Sequence, residues 1–146
     1  MSLEDLYREV ILDHYRNPRN RAELSDASSH AEGVNPLCGD EIAIDIHMDG
    51  DTVEAVSVRG HGCSISQSSA SMMGEAIKGK SRQEVVDLSH RFKAMLNTED
   101  GELALDESRP GSVLGDLEAL QGVKNYPVRI KCATLAWATL EDALQS

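Results

Sequence analysis

Leu3, Leu6, Tyr7, Val10, Ile11 and His14 recur at the i, i+3, i+4, i+7 spacing of an amphipathic helix. Ser2 with Asp5 supplies a capping box ahead of it. Asn17-Pro18 ends it, because proline lacks an amide donor and disfavours helical dihedrals in the preceding residue. The predicted helix covers residues 3–15. From 19 to 33 the chain is polar and aperiodic, a loop that contributes a short strand near its end. Between 41 and 48, Ile42, Ile44, Ile46 and Met48 alternate with Ala43, Asp45 and His47, the two-residue period of a half-buried strand. Asp49-Gly50-Asp51 has turn chemistry, and residues 52–59 return as the second strand of a hairpin. The alternation breaks near Ala55, which predicts a bulge there.

Gly60-His61-Gly62-Cys63 leaves that strand, and from Ser64 the pattern turns helical, with Ile65, Ser69, Met72, Met73, Ala76 and Ile77 on one face until Gly79. Ser81 and Glu84 form a second capping box, opening a helix that turns Val85, Leu88, Phe92, Met95 and Leu96 inward. Residues 97–115 are acidic and rich in turn formers, an insertion or loop. A short helix is predicted over 116–122. Tyr126-Pro127 starts a final helix carrying Val128, Leu135, Ala136, Thr139, Leu140 and Ala143. There is no internal repeat and no linker, so the expectation is one domain over 1–146. Its class is α+β, a small antiparallel sheet of about three strands packed against several helices.

Composition narrows what such a domain does. A chain of 146 residues supports one core. With 14 Lys+Arg against 25 Asp+Glu the net charge is −11, which repels a polyanion, so no nucleic acid is expected as partner. No apolar run is long enough for a membrane span, and Met1-Ser2-Leu3-Glu4-Asp5 has neither the basic nor the apolar region of a secretion signal. A soluble, cytoplasmic protein without membrane contact is the expectation. One Trp, one Phe and three Tyr leave the core to aliphatic residues and methionine and provide no stacking platform.

Three cysteines in such a chain cannot all be paired, and a reducing compartment keeps them as thiols. Cys38 lies in the turn Asn35-Pro36-Leu37-Cys38-Gly39-Asp40, entering the first hairpin strand, and Cys63 lies at the exit of the second. The hairpin therefore puts both at the same end of the sheet. Cys63 precedes a helix, and Cys132 is expected in or near the first turn of the last one, where the helix dipole favours thiolate. A single cysteine is most often a small buried apolar residue. Three in glycine-flanked or helix-starting turns form a different pattern. If the last helix folds back onto the hairpin mouth, three thiols meet the Asp40 carboxylate. That set suits zinc, or an iron–sulfur cluster with one oxygen ligand. The spacing matches no short zinc motif, and Asp40 reads equally well as a turn residue after glycine.

The other titratable residues have plainer readings. His14 falls on the apolar stripe of the first helix, as a core-edge histidine. His47 is out of phase with the isoleucines and solvated, and His30 and His90 have no evident partner. His61 is near Cys63 but reads as a loop residue or an outer partner of the site rather than a ligand. Lys131 is expected as a solvated first-turn lysine, with lowering of the Cys132 pKa or pairing with Asp40 as alternatives. The acidic stretch 99–107 lacks the residue order of a calcium loop and reads as a solvated insertion.

Three signatures in order, Pro36-Leu37-Cys38-Gly39-Asp40, Gly60-His61-Gly62-Cys63-Ser64-Ile65-Ser66 with Ser69-Ala70-Ser71-Met72-Met73, and Arg129-Ile130-Lys131-Cys132-Ala133-Thr134-Leu135-Ala136-Trp137, resemble those of the IscU/NifU-type scaffold family. Residues 6–18 are similar to its SufU branch. The resemblance implies the IscU/SufU-like fold with one metal site formed by Cys38, Asp40, Cys63 and Cys132. In the SufU branch it implies zinc and persulfide acceptance from a SufS-type cysteine desulfurase, with downstream Suf assembly proteins or apo-proteins as acceptors. In the IscU branch it implies assembly of a nascent iron–sulfur cluster. Lys131 replaces the histidine that precedes the third cysteine in IscU-type proteins. Residues 123–128 replace their chaperone-recognition motif, and the insertion at 97–115 is of the kind that marks SufU. On this reading Cys38, on its mobile turn, is the catalytic sulfur acceptor, a sulfurtransferase-like carrier rather than a conventional turnover enzyme. The alternatives left open are a cluster scaffold and a structural zinc module.

Overall fold

A computed structural model describes residues 2–96, 105–106 and 108–145 of the chain. Its elements are helix α1 (Leu3–Arg16), strands β1 (Ser29–Asn35), β2 (Asp40–Asp49) and β3 (Thr52–His61), helices α2 (Ser64–Ile77) and α3 (Arg82–Met95), a 3-10 helix (Gly115–Asn125) and helix α4 (Pro127–Gln145). The sheet is antiparallel in the order β1-β2-β3. This is the α+β architecture expected, and the strand near the end of the polar loop is β1. Ser2 and Ser81 close the two capping boxes.

Alternation in the hairpin sends Ile42, Ile44 and Ile46 into the core opposite Gly60, Val58 and Val56. The pairing shifts between His47 and Met48, which face Ala55 and Val53 and leave Glu54 as the extra residue. The bulge thus lies one position from the break in the pattern. On β1 the inward residues are small, Ala31 and Gly33. A Cβ at Gly33 would collide with Thr139 Oγ1, so α4 lies directly on β1 and β2. Helix α2 fills the space between β3, α1 and α4, and α3 closes the far side of α4, where Phe92 stacks on Trp137 with ring centroids 4.9 Å apart. Both rings are fully buried. Truncating Phe92 to Ala would cost about 3–5 kcal/mol.

Edge pairing is limited at β3, where the Val58 N–H donates to Asn20 O at 2.7 Å, so the loop after α1 covers that strand. His14, the one buried residue of α1, joins three elements: Nδ1 meets Ser71 Oγ of α2 at 2.8 Å and Nε2 meets Asp116 Oδ2 at 2.9 Å. The 3-10 segment is longer than the helix predicted over 116–122. Buried Glu118 stabilises its start by accepting the N–H groups of Gly111, Val113 and Leu114. Most of the acidic stretch 99–107 lies outside the described residues. Among the described residues no helix is long and apolar enough to cross a membrane.

Candidate metal centre

The β2–β3 hairpin brings its two ends together. Asp40 opens β2 opposite Asn35, and Cys63 caps the N-terminus of α2, its Sγ accepting the Ser66 N–H at 3.5 Å. Gly62 between them has φ +153°, and a Cβ there would collide with Asp40 Oδ1 and crowd Ser66 Oγ. The chain can pass the carboxylate only as glycine. Cys38 stands on the turn 36–39 just before Asp40, with Gly39 at φ +69° and open space around it.

Because α4 crosses the sheet at this end, Cys132 faces the same point. Ligand atoms of Cys38, Asp40 and Cys132 all lie within 4.8 Å of one another, and the Cys132 S–H points at Cys38 Sγ at 3.1 Å. Cys63 is not in that trio, but its N–H donates to Asp40 Oδ1 at 2.9 Å and its thiol bears on that of Cys132. The structure thus brings Cys38, Asp40 and Cys132 together and sets Cys63 beside them.

One expectation is overturned. Helix α4 begins at Pro127, so Cys132 sits in its second turn, fully buried, and not at the N-terminal dipole. Burial first, then the neighbouring Cys38, Asp40 and Cys63, pushes its thiol pKa up rather than down. Lys131 is exposed and does not pair with Asp40. His61 points to Glu41, Nε2 to Oε2 3.0 Å, with its side chain 73% exposed, and takes no part in the site.

Three residues outside the sequence reading complete the cluster. Buried Asn35 donates Nδ2 to Asp40 Oδ2 at 3.3 Å and to Cys132 Sγ at 3.6 Å. The Ser66 hydroxyl donates to Asp40 Oδ1 at 3.0 Å. Arg129 lies in the field of all three thiols, Cys63 first, and they raise its pKa. The signals were present in the sequence: Ser66 is three residues past an N-cap, and Arg129 is three before Cys132, on the same helix face. Burial alone would raise the Asp40 carboxyl, but the Cys63 N–H, Cys132 and Ser66 hold it below the usual carboxylate range. An ionised carboxylate crowded by thiols is an arrangement that a soft-to-borderline divalent cation relieves, so the donor set fits zinc.

The family model for NifU-like N-terminal domains matches residues 6–144. The chain is 48% identical over 143 residues to the zinc-dependent sulfurtransferase SufU of Bacillus subtilis, covering 98% of this chain and 92% of that protein. It is 37% identical to the iron–sulfur cluster assembly scaffold protein IscU of Streptococcus pyogenes, covering 98% and 85%. Among solved structures, a Fervidobacterium islandicum protein described as an iron–sulfur cluster assembly scaffold for the SUF system superposes with a TM-score of 0.82 at 36% identity, covering 98% of this chain and 99% of that one. The N-terminal part of a NifU-like protein from Brucella abortus, 20% identical, shares the fold with a TM-score of 0.82. Matched along nearly its whole length, in sequence and in fold, the chain belongs to the family of NifU-like N-terminal domains.

Proposed function

We propose that this protein is a zinc-dependent sulfur-transfer protein of iron–sulfur cluster biogenesis, accepting persulfide sulfur on Cys38 from a SufS-type cysteine desulfurase in the cytoplasm. The observation that carries this reading is the convergence of Cys38, Asp40 and Cys132, with Cys63 alongside, at one end of the sheet. Full-length similarity to a zinc-dependent sulfurtransferase supports it. Cys38, Asp40, Cys63 and Cys132 would hold the zinc. Bound there, zinc would keep the thiols deprotonated at neutral pH.

The four groups are held unequally. Asp40 accepts from Cys63 N, Ser66 Oγ and Asn35 Nδ2. Cys132 is buried and tied to Asn35, and Cys63 is fixed as the cap of α2. Among the described residues, Cys38 Sγ has only the thiol of Cys132 as a hydrogen-bonding neighbour. It is partly exposed, on a turn between exposed Leu37 and the left-handed Gly39. Cys38 is therefore the thiol that can turn outward. Its thiolate attacks the outer sulfur of the donor persulfide. A new S–S bond forms on Cys38, the donor's S–S bond breaks, and the electron pair leaves on the donor thiolate, with the proton kept on the transferred sulfur. Nothing is oxidised or reduced overall, and the Cys38 persulfide passes to downstream Suf proteins or apo-protein acceptors.

Incubation with the desulfurase and cysteine, followed by intact-mass and peptide analysis, tests this. One added sulfur on Cys38 and stimulated cysteine turnover are expected, both lost in Cys38→Ala. Stimulation that persists in that variant would falsify the acceptor assignment. The scaffold reading is favoured by the 37% identity to IscU proteins and would use the same residues. Protein purified without chelator separates the two: colourless and zinc-containing for sulfur transfer, brown with iron and sulfide for a scaffold.

A further inference from the structure

A groove of about 760 Å³ lies between α1 and the 3-10 helix, and Ser64, the residue after Cys63, is among those that line it. Tyr7 and Ile11 of α1 line it on one side, Ala119 and Gly122 of the 3-10 helix on the other, together with Tyr126 and with Ser64, which follows Cys63 in the chain. Of the apolar residues of α1 none is fully buried, although its stripe is that of a core helix. Tyr126 is 65% exposed, Val128, four residues before Cys132, is 66% exposed, and Leu37, next to Cys38, is 74% exposed. Large apolar side chains left in water beside a reactive site mark a surface that another molecule covers.

Charge selects the molecule. In a chain of net charge −11, this end gathers cations: Arg8 and Lys124 line the groove, and Arg129 and Lys131 stand on the first two turns of α4. Lys124, Arg129 and Lys131 have no carboxylate within ion-pair distance among the described residues, and Arg8 has only Asp5 at 3.8 Å. Glu4 is the one carboxylate among the lining residues. A second copy of this chain, related by a twofold axis, would set these cations against their own equivalents. An acidic partner would not.

Resting on the sulfur-transfer reading above, we infer that this groove receives an extended segment of the sulfur donor that carries apolar and acidic side chains and leads its persulfide to Cys38. Apolar walls hold the segment, Arg8 and Lys124 fix its direction, and the end at Ser64 delivers it to the thiols.

The test is charge reversal on the groove alone. Arg8→Glu/Lys124→Glu changes exposed residues that hold none of the four ligand atoms. The desulfurase rate is followed against concentration of this protein at two salt concentrations. The concentration for half-maximal stimulation should rise roughly tenfold or more, with the saturating rate, zinc content and melting temperature unchanged. The salt dependence of the unsubstituted protein should shrink in the variant. Tyr126→Ser, which removes apolar contact without touching charge, should shift the same curve in the same direction. An unsubstituted protein that stimulates and variants that match it overturn the groove while leaving sulfur transfer intact. A concentration-dependent dimer in light scattering, dispersed by Tyr126→Ser, overturns it in favour of a second copy. An unsubstituted protein that gives no stimulation and no Cys38 persulfide overturns both readings.

Discussion

Buried at the end of β1, the Asn35 amide touches two of the proposed ligands, Asp40 and Cys132, which lie far apart in the chain. Its two N–H groups orient a carboxylate and a sulfur at once, the role that outer partners commonly play around metal ligands. Asn35→Ala removes both bonds and leaves Asp40 with Cys63, Cys132 and Ser66. Zinc affinity, read by competition with a chromophoric chelator, should fall about 10–100-fold. Asn35→Asp should do at least as badly, because it adds a second carboxylate where Asp40 needs a donor. Equal affinity in all three proteins would reduce Asn35 to a packing residue. Gly62 makes a complementary prediction. Gly62→Ala forces an alanine into φ +153° and its Cβ onto Asp40 Oδ1, so a loss of about 1–3 kcal/mol in urea unfolding should come together with weaker zinc binding. A stability loss without any change in zinc affinity would mean that the chain relaxes away from the carboxylate.

At the scale of elements, the outer face of the sheet carries its own electrostatic cluster, away from the thiols. His30 of β1 meets Asp45 of β2, Nδ1 to Oδ1 2.6 Å, and Arg59 of β3 meets the same carboxylate at 2.6 Å. Glu32 lies 3.6 Å from the other ring nitrogen of His30, and Glu23 lies 3.5 Å from Arg59. The Asp45 hydrogen bond raises the His30 pKa above its ordinary 6.5. Burial would raise Asp45, but His30 and Arg59 together hold it below its ordinary 3.8. A raised histidine stabilises the fold fully below its unfolded pKa and loses that contribution as pH rises through the folded one. A depressed carboxylate contributes above its unfolded pKa and loses it as pH falls through the folded one. The cluster is therefore at full strength between about pH 4 and 6.5 and weakens on both sides. The difference in unfolding free energy between the unsubstituted protein and His30→Gln should shrink as pH is raised from 6 toward 8. Because the His30 side chain is 49% exposed, the effect should also fade with salt. A difference that stays flat over that range would show that the ring is not charged in the fold. This cluster also marks a limit of the sequence. The hairpin register follows from Ile42, Ile44 and Ile46, whose alternation permits only one face inward. The pairing of His30 with Asp45 depends on β1, whose small residues Ala31 and Gly33 give little periodic signal.

For the whole molecule, legibility follows sequence separation. Both capping boxes, the bulge and the placement of Cys38 and Cys63 at the same end of the sheet are local or follow from one hairpin, and the sequence suffices for them. The approach of Cys132 depends on where α4 starts and on how closely it crosses β1. The start is at Pro127, as the sequence indicates, but counted from there Cys132 lies in the second turn, buried and beyond the reach of the helix dipole. The crossing rests on Gly33, a residue whose importance lies in what is missing from it. Asn35 and Arg129 were passed over because they act only once those long-range contacts are made. The same geometry governs stability. The proposed ligands come from the β1–β2 turn, the start of β2, the α2 cap and the second turn of α4. An ion held there would tie together the four places in the chain from which these ligands come. An ion that binds the folded chain and not the unfolded one stabilises it by mass action, about 2.7 kcal/mol at a hundredfold excess over Kd. In a chain of this length that is roughly 5–10 °C in melting temperature. Chelator treatment should lower the melting temperature by that amount, and stoichiometric zinc should restore it. Magnesium should not, since it prefers oxygen ligands and an octahedral shell. Asp40→Ala, Cys63→Ala and Cys132→Ala should each lose most of the zinc-dependent increment, whereas Cys38→Ala should leave a folded protein. A melting temperature that zinc does not move, or one zinc per chain retained in all three ligand variants, would mean that these side chains meet for some purpose other than holding a metal.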